Sequence, residues 1–497
     1  MLGSYRMMKT IFFFKTVLMN TILKIALLQA YFSGITHQSV PSKRNFVRRG
    51  VLMAALCAFQ FINGQEYPAF RPLRYDEDYT VLEKDTVRDL YDKVKYSKIG
   101  SDGYVSFGGD FRTQYLIIHN ENWSNAAQDK DGYTLNRWLF HSDLHLSKKL
   151  RIFAELQGGQ ANSTDVLVPV QENPLEPHQF FIDYSFSDSP ITLRAGRQEV
   201  TYGSGRIVSL RDGPNVRRSF DGVKAIYKKG NIAADAFYLH AVVDRTGIFD
   251  DKSSPNLRLW GAFLDIRLPV SKVNLNFYYL GFNNDRAIFN DGGGRETRNS
   301  VLARIFQNWQ RWGYDVEGAY QFGSVGERTI NAWSVALSTL YRFPEIKFSP
   351  EIGLKADLIS GDKNRFDKSH QTFNPLFAPG AYFGLAVPLG PSNLMDIHPS
   401  VTVHFSRKIT FVCDYAFLWR YSRGDGIYRP VMIPTFAPGD AASRYIGSQL
   451  SGTFICQPNR YVTLLAGMSW FDCGNYLKEV SPGENILYGF VSAQITL

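Results

Sequence analysis

From Tyr104 to the end of the chain, apolar and polar residues alternate with a period of two in one segment after another. In one such segment, one face is apolar and consists of Trp138, Phe140, Leu144 and Leu146. The other face is polar and consists of Arg137, His141, Asp143 and His145. A period of two is the repeat of a β-strand with two different faces. The pattern therefore predicts an all-β fold for this part of the chain.

The alternation fits a water-soluble β-sandwich as well as a membrane β-barrel, and two further features favour the barrel. Aromatic residues are abundant and stand at the ends of apolar faces, as Trp419, Tyr421 and Trp470 do, where a membrane interface accommodates them. The opposite faces carry charges that suit a hydrated lumen better than a packed core. At roughly 20 to 24 residues per strand and loop, residues 102–497 predict a transmembrane antiparallel β-barrel of about 16–18 strands.

The first 64 residues have the pattern of a targeting segment. A basic region precedes the apolar run Gly50–Phe61, which is too short to span a bilayer, and a small residue precedes Gln65. We expect residues 1–64 to be an N-terminal extension with a signal peptide. The earlier apolar stretch Ile11–Phe32 favours a misassigned start over a membrane anchor. Residues 65–101 combine charge with helix-like apolar spacing and are expected to form a periplasmic lead-in segment.

The net charge of +9 misrepresents the exported chain. Eight basic residues and no acidic residue lie in residues 1–64, so the remainder carries a net charge of only +1. Nucleic acid is therefore not an expected partner, and any preference for anions must come from the local placement of charges.

The stretch Ile191–Tyr227 concentrates positive charge between two strand-like segments. It contains seven basic residues and only three acidic residues, which are Glu199, Asp212 and Asp221. The basic residues are Arg194, Arg197, Arg206, Arg211, Arg217, Arg218 and Lys224. A soluble core could not bury so many unpaired charges, so this stretch is either a solvated loop or a surface that meets a polyanion.

The same stretch resembles a known family. Similarity to the alginate export outer-membrane family lies in Arg194-Ala195-Gly196-Arg197-Gln198, Tyr202-Gly203, Arg206, Asn215, Ser219-Phe220-Asp221-Gly222-Val223, Gly108-Gly109-Asp110-Phe111-Arg112, Ser360-Gly361-Asp362-Lys363-Asn364, Thr372-Phe373-Asn374-Pro375-Leu376-Phe377 and Gly380-Ala381-Tyr382-Phe383-Gly384. Members are monomeric β-barrels of roughly eighteen strands, with an arginine- and lysine-lined pore for an anionic polysaccharide. The resemblance implies a channel in the outer membrane of a Gram-negative bacterium.

Strand parity and this resemblance together nominate a pore lining. Guanidinium groups replace the hydration of carboxylates with paired donors, and several moderate sites in series allow a polymer to pass. Asp221 is expected to orient the arginines and to reduce their mutual repulsion. The candidate residues are Arg112, Arg137, Arg194, Arg197, Arg206, Arg217, Arg218, Asp221, Lys224, Lys355 and Arg420. For each arginine, contact with lipid headgroups is the alternative role.

Other chemistry has little support in the sequence. On a strand, His141 and His145 would lie roughly 13 Å apart, too far to share a metal ion. No nucleophile elbow is present, and we expect no enzymatic activity, no cofactor and no metal. The main alternative to anion export is an uptake porin for sugars or organic acids, and further alternatives are a barrel enzyme and a plugged, structural barrel. Expected partners are an anionic polysaccharide or small anionic solute, outer-membrane lipid, the barrel assembly machinery and periplasmic export components.

Overall fold

The structure of the protein is a computed structural model that describes residues 67–84, 89–125, 131–164, 167–379, 382–384, 386 and 389–497. The signal peptide expected in residues 1–64 lies outside these described residues. In the described part of the chain, no helix is long and apolar enough to cross a membrane.

Eighteen antiparallel strands form a closed barrel, which confirms the predicted fold class. Their bounds are β1 Gly103–His119, β2 Tyr133–His145, β3 Leu150–Asn162, β4 Asn173–Ser185, β5 Ile191–Gln198, β6 Phe220–Lys229, β7 Ile232–Val243, β8 Lys252–Leu268, β9 Val273–Phe289, β10 Gly292–Trp309, β11 Trp312–Val325, β12 Arg328–Arg342, β13 Glu351–Ile359, β14 Leu394–Ser406, β15 Ile409–Arg420, β16 Tyr445–Asn459, β17 Val462–Cys473 and β18 Ile486–Thr496.

The last strand closes the barrel against the first. β18 pairs antiparallel with β1, so that Arg112 lies opposite Gln494 and Tyr115 lies opposite Val491. Each of the other strands pairs with its neighbours in chain order. Each strand of the wall therefore has a paired neighbour on both sides, as a sheet in lipid requires.

The predicted alternation of faces is present in the wall. On β1, Phe111 is 45% exposed on the outer face, whereas its neighbour Arg112 is buried on the inner face. On β13, Leu354 and Leu358 are exposed on the outer face and Asp357 is buried on the inner face. An apolar outer surface and a polar inner surface are what a strand needs when lipid lies on one side only.

The two ends of the barrel differ in the length of their connections. One end has tight turns such as residues 230–231 and 407–408, and the other has the long connections 199–219, 360–393 and 421–444. In outer-membrane barrels the short turns are periplasmic and the long loops are extracellular. This rule places both chain termini of the barrel on the periplasmic side.

The segment Phe282–Ser300 is rich in Asn, Asp and Gly, a composition that predicts a polar loop, and this prediction is wrong. Strands β9 and β10 continue through it, pairing Asn283 with Thr297 and Phe289 with Gly292. Glycines at 292 and 294 have positive φ values of 121° and 147°, which let the chain reverse at once. The polar residues here lie on paired strands, and Glu296 and Arg298 are buried on the inner face, where Arg298 donates to the Thr372 carbonyl of the second inner loop.

Two of the long connections turn into the lumen, and we call them the inner loops, residues 199–219 and 360–393. They form a short parallel bridge at Val208 and Phe377. The Ser209 amide donates to the Phe377 carbonyl at 3.1 Å, and the Phe377 amide donates to the Ile207 carbonyl at 2.9 Å. Val208 and Phe377 belong to one apolar cluster, which also includes Leu239 and Leu280 from the inner wall. The middle of the lumen therefore contains a packed core.

The N-terminal segment, here the described residues between 67 and 99, also lies against the inner wall. It contains helix α1, Leu90–Lys95, whose N-cap Asp89 and N3 residue Asp92 form a capping box. The strand Ser97–Ile99 then pairs with the start of β1. Tyr75 packs edge-on against the inward rings of Phe153 and Phe181. The segment predicted as a lead-in is thus packed inside the barrel as well as leading into it.

Candidate functional site in the lumen

A row of alternating charges crosses the inner face of strands β4 to β7. Asp183 lies opposite Arg194, and Arg194 lies opposite Lys224. Arg194 makes a bidentate ion pair with Asp183, with Nε–Oδ1 at 2.7 Å and Nη2–Oδ2 at 2.8 Å. Lys224 Nζ pairs with Asp235 at 3.2 Å. Both predicted cations therefore face the lumen, and both are buried and compensated.

The N-terminal segment covers this row. The guanidinium carbon of Arg194 lies 4.2 Å from the centre of the Tyr75 ring. It also lies 3.7 Å from the centre of the Phe181 ring. Arg151 of β3 donates to the Tyr75 carbonyl at 2.6 Å, and Arg74 donates to the Leu497 carbonyl at 2.6 Å. In this arrangement Arg194 cannot meet a solute unless the segment moves.

The inner loop 199–219 is held to the wall by predicted lining residues. Arg137 pairs with Asp212 at 2.8 Å and with Asp110 at 3.1 Å. Within the loop, Arg217 pairs with Glu199 at 2.9 Å and also donates to the Pro72 carbonyl of the N-terminal segment at 2.7 Å. These arginines organise the loop as well as facing the lumen.

Three predicted arginines donate hydrogen bonds to backbone carbonyls instead of pairing with a carboxylate. Their charges have no carboxylate partner within ion-pair distance among the described residues. Arg112 donates to the carbonyls of residues 212, 213 and 214 at 2.8–3.0 Å. Arg218 donates to the carbonyls of Ser209 and Phe377. Arg420 donates to the carbonyls of Ala441 at 2.9 Å and of residues 423, 425 and 443. The lumen side therefore holds positive charge that direct contacts do not neutralise.

Lys355 is the exposed cation of the predicted set. It lies on the inner face of β13 between Ser338 and His398 on the neighbouring strands. No ion pair joins it to a carboxylate in the part of the chain that the structure describes. Nearby, Arg206 of the inner loop pairs with Asp357 at 2.9 Å. Lys355 thus offers an ammonium group to solvent within the lumen.

Arg197 and Asp221 do not lie with the others, which corrects their nomination as lining residues. They pair with each other at 2.8 Å, and their positions share strand parity with Leu193 and Val223. Those two side chains are 45% and 56% exposed on the outer face. Arg194 and Arg197 are three residues apart, so on a strand they point to opposite faces. Their position near the extracellular rim fits the alternative role in contacting lipid headgroups.

Burial shifts the pKa of several loop groups around this site. Burial raises the pKa of Glu199 to about 7, although Arg217 opposes the shift. The pKa of Asp212 is lowered, because Arg137, Arg217 and Arg112 together outweigh the effect of burial. Burial and the charge of Arg211 lower the pKa of Arg218 to about 9. Arg218 therefore keeps its positive charge at neutral pH.

A buried group of ligand-type residues stands beside Arg217. One atom each of Glu155, His178 and Glu199 lies within 4.8 Å of the others. His178 is the extra residue of a β-bulge in β4, which turns its ring inward. Because Arg217 Nε lies 2.9 Å from Glu199 Oε1, a guanidinium already supplies positive charge at this group. The arrangement is better described as an ion-pair network than as a metal centre.

Sequence patterns did not predict, among other site residues, Arg74, Tyr75, Arg151 and Arg298. Arg298 pairs with Glu296 at 2.5 Å and donates to the Thr372 carbonyl, which ties the second inner loop to the wall. It was missed because its segment was interpreted as a loop. Arg151 could have been found from its alternation with Ile152, whereas nothing in the sequence shows that Arg74 and Tyr75 enter the lumen.

Comparisons with known proteins agree with this architecture. A family model described as alginate export matches residues 103–485. No curated protein matches the sequence. The chain is similar to the crystal structure of Pseudomonas aeruginosa OccD3 (OpdP), with a TM-score of 0.56 and 11% identity over 82% of this chain and 93% of that chain. It is also similar to Pseudomonas aeruginosa OccK11 (OpdR), with a TM-score of 0.53 and 12% identity over 81% and 99%. At such identities these likenesses concern the fold alone.

Proposed function

This chain belongs to the alginate export family, and we propose that it passively conducts anionic solutes, in particular an acidic polysaccharide such as alginate leaving the periplasm. The closed barrel with an apolar outer face makes it a protein of the outer membrane of a Gram-negative bacterium. The proposal concerns what this outer-membrane channel carries and which side chains meet it.

The observation that carries the proposal is positive charge without a carboxylate partner. Arg112, Arg218 and Arg420 donate to backbone carbonyls and form no ion pair among the described residues, and Lys355 is exposed. A carbonyl orients a guanidinium without cancelling its charge, so the field of the group still acts on a solute. Weak attraction at several such points favours anions and still lets them leave.

The buried arginines bear on how a polymer would pass. Arg194 lies beneath Tyr75, and Arg217 is bonded to both Glu199 and the N-terminal segment. We infer that a chain of linked sugars passes only after the N-terminal segment and the inner loop 199–219 have shifted. Small anions would need less displacement, and Lys355 is already accessible to them. The described arrangement then corresponds to a closed state for the polymer.

The test is conductance of the purified chain, beginning at Gln65, in a planar bilayer under a salt gradient. We expect an anion-selective current that oligouronates reduce from the periplasmic side. A neutral oligosaccharide of the same length is the matched control, because it has the same bulk without the carboxylates. Cation selectivity, or equal block by the neutral oligomer, would contradict the proposal and favour a general porin. Absence of any current would favour a permanently plugged barrel.

A further inference from the structure

The extracellular end of the wall has a gap beside β4. Strand β5 ends at Gln198, where the chain turns into the lumen, whereas β4 extends outward to Asn173. Pairing of β4 with β5 covers only residues 180–185 of β4. The connection between β7 and β8, residues 244–251, lies across the uncovered part. Ile248 forms a bridge with Leu175, and the Phe249 amide donates to the Leu175 carbonyl at 3.1 Å.

Three carboxylates meet where this connection crosses β4. One oxygen from each of Glu176, Asp250 and Asp251 lies within 4.8 Å of the others. Glu176 Oε1 accepts from the Asp250 amide and, at 3.1 Å, from the Asp251 amide. No lysine, arginine or histidine forms an ion pair with any of the three among the described residues. Arg197, whose charge does act on Asp251 and Glu176, gives Nε and Nη2 to Asp221 at 2.8 and 3.2 Å.

Unpartnered oxygens in the same place point to a missing ligand. Asn173 has 0% exposure, and its Nδ2 donates to Asp251 Oδ2 at 2.8 Å. Its Oδ1, bonded to the same carbon, is buried without a hydrogen-bond partner, and so is Asp250 Oδ1. Buried acceptors of this kind are rare because leaving them unsatisfied destabilises the fold. A cation bound by this group is the kind of partner that such oxygens lack.

We propose that Asn173, Glu176, Asp250 and Asp251 bind a divalent cation of the Ca²⁺ class, which fastens the 244–251 connection over the gap in the wall. Carboxylate and amide oxygens without nitrogen or sulfur are the ligands that Ca²⁺ prefers, in a flexible geometry that irregular backbone can supply. The site has no part in conduction and does not depend on the proposed solute.

The experiment uses the full chain, free of lipopolysaccharide and divalent cations, in detergent. The temperature at which the folded, fast-migrating band disappears on gels is measured against CaCl₂ concentration. We expect this temperature to rise with half-saturation at about 0.1–1 mM, the range of extracellular calcium modules. MgCl₂ at equal ionic strength should act more weakly, because Mg²⁺ demands a stricter octahedral geometry.

The paired variant Asp250→Asn with Asp251→Asn should lose the response to CaCl₂. Asp440→Asn, which changes an exposed carboxylate in another long loop, should keep it. An unchanged response in the paired variant, or no response of the native chain up to about 10 mM CaCl₂, would overturn the proposal. If the paired variant does not reach the folded band, Glu176→Gln replaces it, with an expected rise of tenfold or more in half-saturation. Equal half-saturation in Glu176→Gln and the native chain would also overturn it.

Discussion

Glu199 and Arg217 stand at the two ends of the inner loop 199–219 and meet at 2.9 Å. Glu199 follows directly on β5, and Arg217 precedes β6 by three positions, so the ion pair closes the loop at its base. Tyr75 donates to the Glu199 carbonyl at 2.7 Å, and Arg217 donates to the Pro72 carbonyl. The same pair therefore joins the inner loop to the N-terminal segment, and we expect the two to move together.

This pair predicts a pH dependence of stability. The pKa of Glu199 is raised from 4.5 to about 7, so between these values the folded protein holds a proton that the unfolded chain has released. The free energy of unfolding should then fall as pH rises through this window, by at most roughly 3 kcal/mol. Glu199→Gln should flatten the dependence in urea unfolding of the barrel. Glu327→Gln, at an exposed turn, is the matched control, and a native dependence in Glu199→Gln would refute the assignment.

Lys355 predicts a change in ion selectivity without a change in fold. It is exposed on the inner wall and has no described carboxylate partner, so replacing it removes no packing. Lys355→Glu should lower the anion-to-cation permeability ratio by about two- to fivefold, the scale of a single charge near a pore in water. Lys408→Glu makes the same change in the turn between β14 and β15, outside the lumen, and should leave the reversal potential unchanged. Equal shifts in both variants would remove Lys355 from the conducting path.

Replacing Tyr75 should weaken the contact between the N-terminal segment and the inner wall. Its ring packs on Phe153 and Phe181 with centroid distances of 6.0 and 5.3 Å and covers Arg194. Tyr75→Ala should weaken the packing of the N-terminal segment against the inner wall by about 3–5 kcal/mol, the usual effect of removing a buried aromatic ring. We expect more frequent channel opening in single-channel records. Leu90→Ala changes a residue of the same segment that is 79% exposed, and it should behave as the native chain does.

We expect Arg420 to stabilise the 421–444 connection. Its guanidinium donates to four carbonyls of that connection and lies 3.8 Å from the ring of Tyr476. A lysine cannot reproduce this planar fork, so Arg420→Lys should weaken the connection by about 2–3 kcal/mol. Cleavage there by proteinase K should accelerate. Arg423→Lys, at an exposed position, serves as control, and equal cleavage rates in the two variants would contradict the role given to Arg420.

The wall of the barrel was predictable because a strand exposes its sides with a fixed period. The alternation of Trp138 and Phe140 with Arg137 and His141 assigns outer and inner faces correctly, and the strand count falls within the expected range. Parity applied strictly would also have separated Arg197 from Arg194. The motif shared with the family contains both arginines and carries no information about the face on which each one lies.

The contents of the lumen were not predictable in the same way. Contacts such as Val208 with Phe377, or Tyr75 with Phe181, join residues far apart in sequence, and no local period records them. The polar and charged residues of 199–219 and 360–393 are typical of surface loops, so their composition does not predict that they turn into the lumen. The apolar residues of these loops do not predict a core by themselves. They form one only by packing against apolar side chains of the inner wall.

The sequence by itself determined a membrane barrel, its two faces and a surplus of cations on segments that reach the lumen, because these follow from local periodicity and charge. Only the tertiary structure decided that Arg194 and Arg217 are buried and paired, that Arg112 binds carbonyls alone, and that Lys355 stays open to solvent. The physical reason is that an arginine's role depends on what lies within about 4 Å of its guanidinium. In this barrel, those neighbours are supplied by loops and an N-terminal segment that fold back from distant parts of the chain.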